Sequence, residues 1–376
     1  MKKHWWIALI LVLALAVPAM ASQVVKILVD GKELKTDVPA QIIDGRAMVP
    51  LRAIAEFSGK VVNWDAKTQT VTIAGKSDLE KIDRIFGDYT YSGHKILTAS
   101  VDRTGVCLSC HDNSGFALRT GDRAQSTTYV FPGAGRKTGL SCESCHAAFG
   151  KKLIDTGKVQ LPFTPDGELT NGGTGALCMS CHNGRRDVND VVAKQVNDQG
   201  FRTASTYPHY GGAQVYTGKG AMEVPGVKFA TSFGHQGLKD SCVSCHMPKI
   251  KDGFKSHDFK MDVGYINESC GSCHAGISSF DVNGFQTKIY AMNKKLKQAA
   301  INAVPGAVDI VSGSGRLQFR DAGGREIPIA QVSQKAFLAG YNWYTIYGDK
   351  SKGVHNPKYA ESVIRESYKY VTGKDM

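Results

Sequence analysis

The ten cysteines of this 376-residue chain all belong to five copies of one pentapeptide, C-x-x-C-H. Each copy places two thiols three positions apart and a histidine directly after the second thiol. Thiols at that spacing lie about one helical turn apart, so both can add to the vinyl groups on one edge of a porphyrin. The histidine is then carried under the ring as a ligand to iron. The motif therefore predicts covalent attachment of haem c.

The five motifs use every cysteine in the chain. Their thiols are the predicted attachment points: Cys107, Cys110, Cys142, Cys145, Cys178, Cys181, Cys242, Cys245, Cys270 and Cys273. Their histidines are the predicted proximal ligands: His111, His146, His182, His246 and His274. Zinc knuckles and disulfides are the competing interpretations, but zinc ribbons pair two knuckles, and five is an odd number. Zinc also gives no reason for a histidine after every pair, so the sequence predicts five covalently bound haem c groups.

Histidines outside the motifs match the number of irons. The chain has 11 histidines, and when His4 and the proximal ligands are set aside, the following remain: His94, His209, His235, His257 and His355. If each caps one haem, every iron is bis-histidine, low-spin and closed to substrate, as in electron-transfer proteins. Methionine is the competing axial ligand, but Met179 and Met247 lie within or beside motifs, where packing explains them.

The N-terminus resembles a secretory signal. Two lysines precede an apolar run from Trp5 to about Val17, and Ala19-Met20-Ala21 offers an A-x-A cleavage site. The run is shorter than the roughly 20 residues of a membrane span, although an uncleaved anchor is the alternative. Because haem c is normally attached after export, signal and motifs agree. We expect an exported, extracytoplasmic protein at the cell surface, in the cell wall or outside the cell.

The charge balance is basic, with 46 Lys+Arg against 34 Asp+Glu and a formal net charge of +12. Removal of the two signal lysines lowers this balance to +10. Such a charge could indicate nucleic-acid binding, but five haems would bring roughly ten propionate groups that offset it. The basic residues are therefore interpreted as propionate partners and solvated surface, and no nucleic-acid partner is expected.

The sequence predicts a signal peptide at 1–21, a small α+β domain at 22–75 and a pentahaem domain at 76–376. The first cysteines of successive motifs are 35, 36, 64 and 28 residues apart, so the large domain has no fixed repeat. It is expected to be mainly α-helical and loop-rich around its haems. At its C-terminus we expect helices over 285–299, 328–347 and 357–372, and a hairpin or loop over 308–327.

The small domain resembles the copper amine oxidase N-terminal-like domain, a secreted module found mainly on bacterial cell surfaces. The resemblance rests on these segments: Asp30-Gly31-Lys32, Asp44-Gly45-Arg46, Val49-Pro50-Leu51-Arg52, Ile54-Ala55-Glu56 and Trp64-Asp65. The pattern predicts turns at both Asp-Gly pairs, a helix between Pro50 and Gly59, and a closing hairpin. Because histidine, cysteine and clustered methionine are absent, copper binding is not expected. We expect contact with the cell envelope, with a plain structural cap as the alternative.

The large domain resembles the pentahaem nitrite reductase (cytochrome c552) superfamily of multihaem cytochromes. Three segments carry the resemblance: Cys242-Val-Ser-Cys245-His246-Met247-Pro248, Ser256-His257-Asp258-Phe259 and Gly353-Val354-His355-Asn356-Pro357. Together with the five motifs and the C-terminal helices, the resemblance spans most of residues 90–372. It implies distal ligation by His94, His235, His257 and His355.

Two departures from that superfamily bear on function. Its reductases commonly ligate the catalytic haem through the lysine of a C-x-x-C-K motif, and their catalytic tyrosine closely follows the third motif. Here every motif ends in histidine, and the third runs into Asn183-Gly184-Arg185-Arg186.

His209 is the residue that separates the two functions. If it ligates the first haem, the chain is an electron carrier in cell-surface or extracellular respiration, and this interpretation is favoured. If it stands over an open iron with Arg202, Tyr207 or Tyr210, the chain is a nitrite- or hydroxylamine-type reductase. The expected partners are redox donor and acceptor proteins, other cytochromes or a mineral. Whether copies assemble into a homo-oligomer or filament stays open.

Haem stoichiometry tests the motif interpretation. After acid and organic extraction, which removes non-covalent cofactors, the mature protein should still be heavier than its polypeptide by five haem groups, as measured by intact mass spectrometry. A fully matured sample with disulfides, zinc or fewer haems would contradict the prediction.

Overall fold

A computed structural model describes residues 25–29, 31–75, 78–95, 107–119, 121, 139–209, 211–250, 253–313 and 315–376. The predicted signal peptide lies outside these residues. The chain divides into two compact units, Met1–Lys81 with Lys251–Gly253 and Ile82–Ile250 with Phe254–Met376. In the part of the chain that the structure describes, no helix is long and apolar enough to cross a membrane.

Among the described residues between Val25 and Gly75, the chain forms three antiparallel hairpins and one helix. Its elements are β1 (Leu28–Val29), β2 (Lys32–Glu33), β3 (Gln41–Ile43), β4 (Arg46–Met48), α1 (Leu51–Phe57), β5 (Lys60–Asp65) and β6 (Thr70–Gly75). Asp44 and Gly45, both with positive φ, form the two-residue turn between β3 and β4. Pro50 directly precedes α1, and Gly59 follows it at φ +73°. The predicted helix and the predicted closing hairpin are both present.

The larger unit consists of short helices joined by loops, followed by three long helices. The short elements are α2 (Asp78–Thr90), α3 (Leu108–His111), α4 (Asn113–Ala117), α5 (Cys142–His146), α6 (Ala148–Thr156), β7 (Lys158–Val159), β8 (Thr170–Asn171), α7 (Ala176–Met179), α8 (Gly212–Thr217), α9 (Cys242–His246) and α10 (Ile266–Cys270). The C-terminal elements are α11 (Phe285–Asn302), β9 (Asp309–Gly313), β10 (Arg316–Arg320), α12 (Gln334–Gly348) and α13 (Pro357–Thr372). This architecture agrees with the predicted fold class.

The three C-terminal helices pack on one another and hold the larger apolar core. The predicted stripe of α11 supplies Ile289, Met292 and Leu296 to that core, and Phe337 of α12 and Val363 of α13 meet them. Burial of each such side chain contributes about 1.5–3 kcal/mol. A second core, around Phe116, Phe149, Leu153, Leu161 and Met179, lies among the short helices.

Capping side chains decide where the last two helices begin. The second predicted helix begins later than its apolar pattern suggested, because the Ser333 hydroxyl accepts a hydrogen bond from the backbone N–H of Ala336. Residues Ile329–Gln331 before it form a 3₁₀ turn. The third helix begins at Pro357, as predicted. The 308–327 segment contains the hairpin β9–β10.

Asn356 links α13 to a distant loop through a fully buried side chain. Its Oδ1 accepts hydrogen bonds from the backbone N–H groups of Tyr359 and Ser232, at 3.3 and 3.1 Å, and its Nδ2 donates to Thr231 Oγ1 at 2.9 Å. Loss of this side chain would therefore remove a helix cap and leave buried groups without partners.

We expect Asn356→Ala to lower the free energy of unfolding by about 2–4 kcal/mol, measured by urea denaturation followed by circular dichroism. The matched variant Ser333→Ala removes only a helix cap and should cost about 1 kcal/mol. Equal losses in the two variants would contradict the linking role of Asn356.

Candidate functional site

Helical turns hold the C-x-x-C-H pentapeptides. Helices α5 and α9 each consist of one pentapeptide, and α3 covers the end of the first motif. In the third and fifth motifs, the histidine N–H donates to the carbonyl of the first cysteine four residues earlier, at 3.0 Å for His182 and 2.9 Å for His274. Residues three apart on such a turn share a face, so the two cysteines of a motif lie on the same side. All ten thiols are free of disulfide bonds.

Each motif histidine lies opposite one of the other five histidines. The two ring centroids are 6.0 to 6.3 Å apart in every pair. The pairs are His182 with His94, His111 with His209, His146 with His257, His274 with His235, and His246 with His355. Each of the ten histidines within the described residues belongs to one pair, so the match is one to one.

This separation fits two imidazoles on opposite sides of one iron. A metal–nitrogen bond of about 2 Å and about 1 Å from nitrogen to ring centre, counted on both sides, give about 6 Å. The two cysteines of each motif are carried by the same helical turn as the proximal histidine. The residues of each motif and its opposing histidine therefore fit a haem: the two cysteines would attach it, and the two histidines would bind its iron. A haem held in this way supplies a one-electron Fe(III)/Fe(II) couple.

Backbone carbonyls set the tautomer of three of these histidines. Nδ1 of His235 lies 2.5 Å from the carbonyl of Val354, and Nδ1 of His257 lies 2.7 Å from that of Lys255. Nδ1 of His246 lies 3.0 Å from the Phe259 carbonyl. A carbonyl can only accept, so Nδ1 carries the proton, and the lone pair of Nε2 is left for a metal.

Burial keeps five of the imidazoles neutral. It lowers the pKa of His94, His111, His246 and His257, and it lowers the pKa of His182 to about 4. Only the neutral form has a lone pair to donate to iron. At pH 7 these side chains are therefore in the protonation state that ligation requires.

A carboxylate contacts His355. Oδ1 of Asp349 lies 2.6 Å from Nδ1 of His355. Burial by itself lowers the pKa of His355, but the charge and hydrogen bond of Asp349 outweigh burial and raise it. Asp349 thus holds a proton on Nδ1.

The third motif lies against the first and the fourth. The Cys181 thiol lies beside that of Cys110, and the Cys178 thiol lies beside that of Cys242. The buried Arg119 lies between the first and third motifs, where its guanidinium is 3.9 Å from the sulfurs of both Cys110 and Cys181. It also donates to the carbonyl of Ser180 at 3.2 Å.

Hydrogen bonds join the second and fifth motifs to this group. Oδ1 of Asn113, two residues after the first motif, accepts from Ser141 Oγ at 2.8 Å and from Ser144 Oγ in the second. Ser269 Oγ at the fifth motif donates to the carbonyl of Cys245 in the fourth, at 3.0 Å. The five attachment sites are therefore contiguous.

The residues proposed for an open reductase site have different surroundings. Arg202 is fully buried, donates to Gln334 Oε1 at 2.8 Å, and lies with its guanidinium carbon 4.1 Å from the ring centroid of Phe337. It is therefore part of the protein core. Tyr207 stacks against His209 with 6.0 Å between ring centroids, and Tyr210 lies outside the described residues.

Sequence reasoning missed helix α2 and its Asp88. Oδ2 of Asp88 accepts hydrogen bonds from Ser256 Oγ, at 2.8 Å, and from the backbone N–H of His257. Asp88 therefore orients the loop that carries a predicted distal ligand. The spacing of Ile82, Ile85 and Tyr89 was the available signal for this helix. Arg119 and Asp349 were also missed, because their roles depend on partners outside any motif.

Two family models match the chain. The copper amine oxidase N-terminal domain matches residues 20–80, and cytochrome c552 matches residues 228–376. The second match contains the fourth and fifth motifs together with His235, His257 and His355. Both resemblances that the motifs predicted are confirmed.

One curated relative and one solved structure are also similar. Multiheme cytochrome MtrA from Shewanella baltica (strain OS185) is 22% identical over 254 residues, which cover 65% of this chain and 70% of the relative. The crystal structure of outer cell wall cytochrome OcwA superposes with a TM-score of 0.47 and 18% identity. That superposition covers 82% of this chain but only 57% of the other, so this chain spans just over half of that protein's length.

Proposed function

We propose that this chain is a multihaem c-type cytochrome that carries electrons through five bis-histidine, low-spin haems and has no catalytic iron. The proximal ligands are the five motif histidines. The distal ligands are those paired with them: His209 on the first haem, His257 on the second, His94 on the third, His355 on the fourth and His235 on the fifth. Proteins of this class transfer electrons. What is specific to this chain is the proposed pair of histidine ligands on each haem.

The one-to-one pairing of histidines carries the proposal. All five ring separations fall between 6.0 and 6.3 Å, although the motifs lie on different helices and loops. Bis-histidine coordination explains this common distance with a single cause. With both axial positions filled, no iron has room for a small substrate.

His209 bears most directly on the choice between carrier and reductase. A reductase of this superfamily would have an open iron, and the sequence left His209 as the histidine most able to stand apart. Its ring instead lies 6.1 Å from that of His111, a separation within the range of the other four pairs. The carrier is therefore favoured over the reductase.

Contacts among the motifs supply an electron path. The third motif touches the first and fourth, and hydrogen bonds extend the series to the second and fifth. Cys142 in the second motif and Cys273 in the fifth are exposed, whereas the other eight cysteines are partly buried. We propose that redox partners, such as other cytochromes, exchange electrons with the haems of these two outer motifs.

We propose that the protein is exported and that its N-terminal unit contacts the cell envelope. Its match to the copper amine oxidase N-terminal domain and the signal-like residues 1–21 support this location. The unit offers no histidine or cysteine between residues 22 and 75, so it has no role in holding haem.

Spin state tests the ligand set. The oxidised protein should show only low-spin haem in its absorbance and EPR spectra and should not bind cyanide rapidly. His209→Ala should open one iron and give a high-spin signal from about one haem in five. Replacement of any other distal histidine should open the iron of a different haem and give a high-spin signal from it. These variants are His94→Ala, His235→Ala, His257→Ala and His355→Ala.

Tyr207→Phe is the matched control, because it keeps the ring that stacks on His209 and should leave every haem low-spin. A high-spin haem already present in the unmodified protein would contradict the proposal and favour the reductase.

Deletion of residues 22–75 tests the role of the N-terminal unit. The truncated protein should keep its five haems and its spectrum, since no ligand is lost, while its association with the cell envelope falls, as measured by fractionation and haem staining. Envelope association equal to that of the full chain would contradict the proposed contact. Loss of haem would show that the segment is needed for maturation.

A further inference from the structure

The hydrogen bond at Nδ1 distinguishes His355 from the other paired histidines for which such a bond is seen. His235, His246 and His257 are bonded to neutral backbone carbonyls. His355 is bonded to the carboxylate of Asp349, with 2.6 Å between Nδ1 and Oδ1. This difference concerns the pair that would hold the fourth haem.

Asp349 lies at the C-terminal end of α12, and its side chain has no exposed surface. Its other oxygen, Oδ2, accepts a hydrogen bond from Ser351 Oγ. Within the described part of the chain, neither lysine nor arginine forms an ion pair with this carboxylate. The ionisable side chain paired with this carboxylate is His355 itself. A buried negative charge needs a compensating positive charge nearby, which a neutral His355 does not supply.

If His355 binds the iron of a haem, its imidazole would be neutral, and the ferric iron would supply that charge. A carboxylate that accepts the Nδ1 proton makes the imidazole a stronger electron donor at Nε2. A stronger donor stabilises Fe(III) more than Fe(II), because the oxidised iron carries the greater positive charge. A neutral carbonyl at the same place has a weaker effect.

We propose that Asp349 is a positioning residue that acts through His355 to lower the reduction potential of the fourth haem. This inference rests on the proposed ligation of that haem by His246 and His355. The added point is that the reduction potential of one particular haem, the fourth, is lowered by one particular side chain, that of Asp349. Since the fourth motif lies between the third and the fifth, electrons would reside on the flanking haems and cross the fourth.

The test is Asp349→Asn in the haem-loaded full chain, which keeps an oxygen acceptor near His355 and removes the charge. A spectroelectrochemical titration should show one haem whose oxidised-to-reduced equilibrium shifts at least tenfold toward the reduced form, or about 59 mV upward. The EPR signal of one low-spin haem should shift. All five haems should stay low-spin, because both ligands remain.

Asp240→Asn is the matched control. Asp240 lies two residues before Cys242 and bonds to Thr174 through its Oδ1, so its replacement removes a carboxylate beside the same motif without touching a histidine. We expect a shift of less than about threefold in this variant. Equal shifts of the haem potential in the two variants would overturn the inference. Loss of a nearby negative charge would then explain both shifts without any effect through His355.

Ser351→Ala provides a second measurement that keeps Asp349 in place. It removes the hydroxyl that donates to Oδ2 and leaves more negative charge on the carboxylate for His355. The potential of the same haem should then move downward. An unchanged or raised potential would contradict the inference even if Asp349→Asn failed to fold.

The spin state separates this inference from the proposed function. If Asp349→Asn stays fully low-spin and every potential is unchanged, Asp349 does not tune the haem, and the ligand set stands. If His355→Ala creates no high-spin haem, His355 is not a ligand, and both the ligand set and this inference are wrong.

Discussion

Two imidazoles held about 6 Å apart across a common centre are the constraint on which the rest of the larger unit depends. The fold meets this constraint five times. In each pair one histidine is fixed by the helical turn of its own motif. The other arrives from a separate segment, so the loops and helices that carry it must be placed to within a fraction of an ångström. The surrounding hydrogen bonds explain how this is done.

Three of the segments that carry predicted distal histidines have their own means of support. Asp88 on α2 holds the backbone before His257, and the Val354 carbonyl holds the ring of His235. His355 lies between α12 and α13, two helices of the largest apolar core, where Asp349 fixes its ring. The rigid C-terminal core therefore positions ligands on two different motifs. Close packing makes such positions costly to displace.

The contacts between motifs join the five predicted attachment sites into one contiguous group. Cysteine pairs bring the third motif against the first and the fourth, and Arg119 places a buried positive charge at one of these junctions. Asp349 places a negative charge beside the histidine pair of the fourth motif. Since a haem potential responds to nearby charge and to the donor strength of its ligands, opposite charges at neighbouring sites would give haems bound there different potentials. Differences of this kind decide where electrons reside along a chain of identical cofactors.

Short-range sequence patterns were enough to predict covalent haem attachment and much of the local structure. The C-x-x-C-H motifs depend on neighbours a few residues apart, and so do the cap at Asn356, the apolar stripe of α11 and the turn at Asp44-Gly45. Both family resemblances followed from such local patterns. The match between the number of motif histidines and the number of remaining histidines was also evident, because it can be counted in the sequence without knowledge of the fold.

Which histidine lies opposite which could be seen only in the folded chain, because pairing depends on how distant segments pack. Every possible pairing of these histidines has the same composition. The same reason explains why α12 begins at Gln334, where a cap outweighs the apolar pattern, and why Asp88, Arg119 and Asp349 could not be recognised. The residues next to Asp88, Arg119 and Asp349 in sequence do not indicate which sulfurs and rings these side chains contact. The fold brings those partners close.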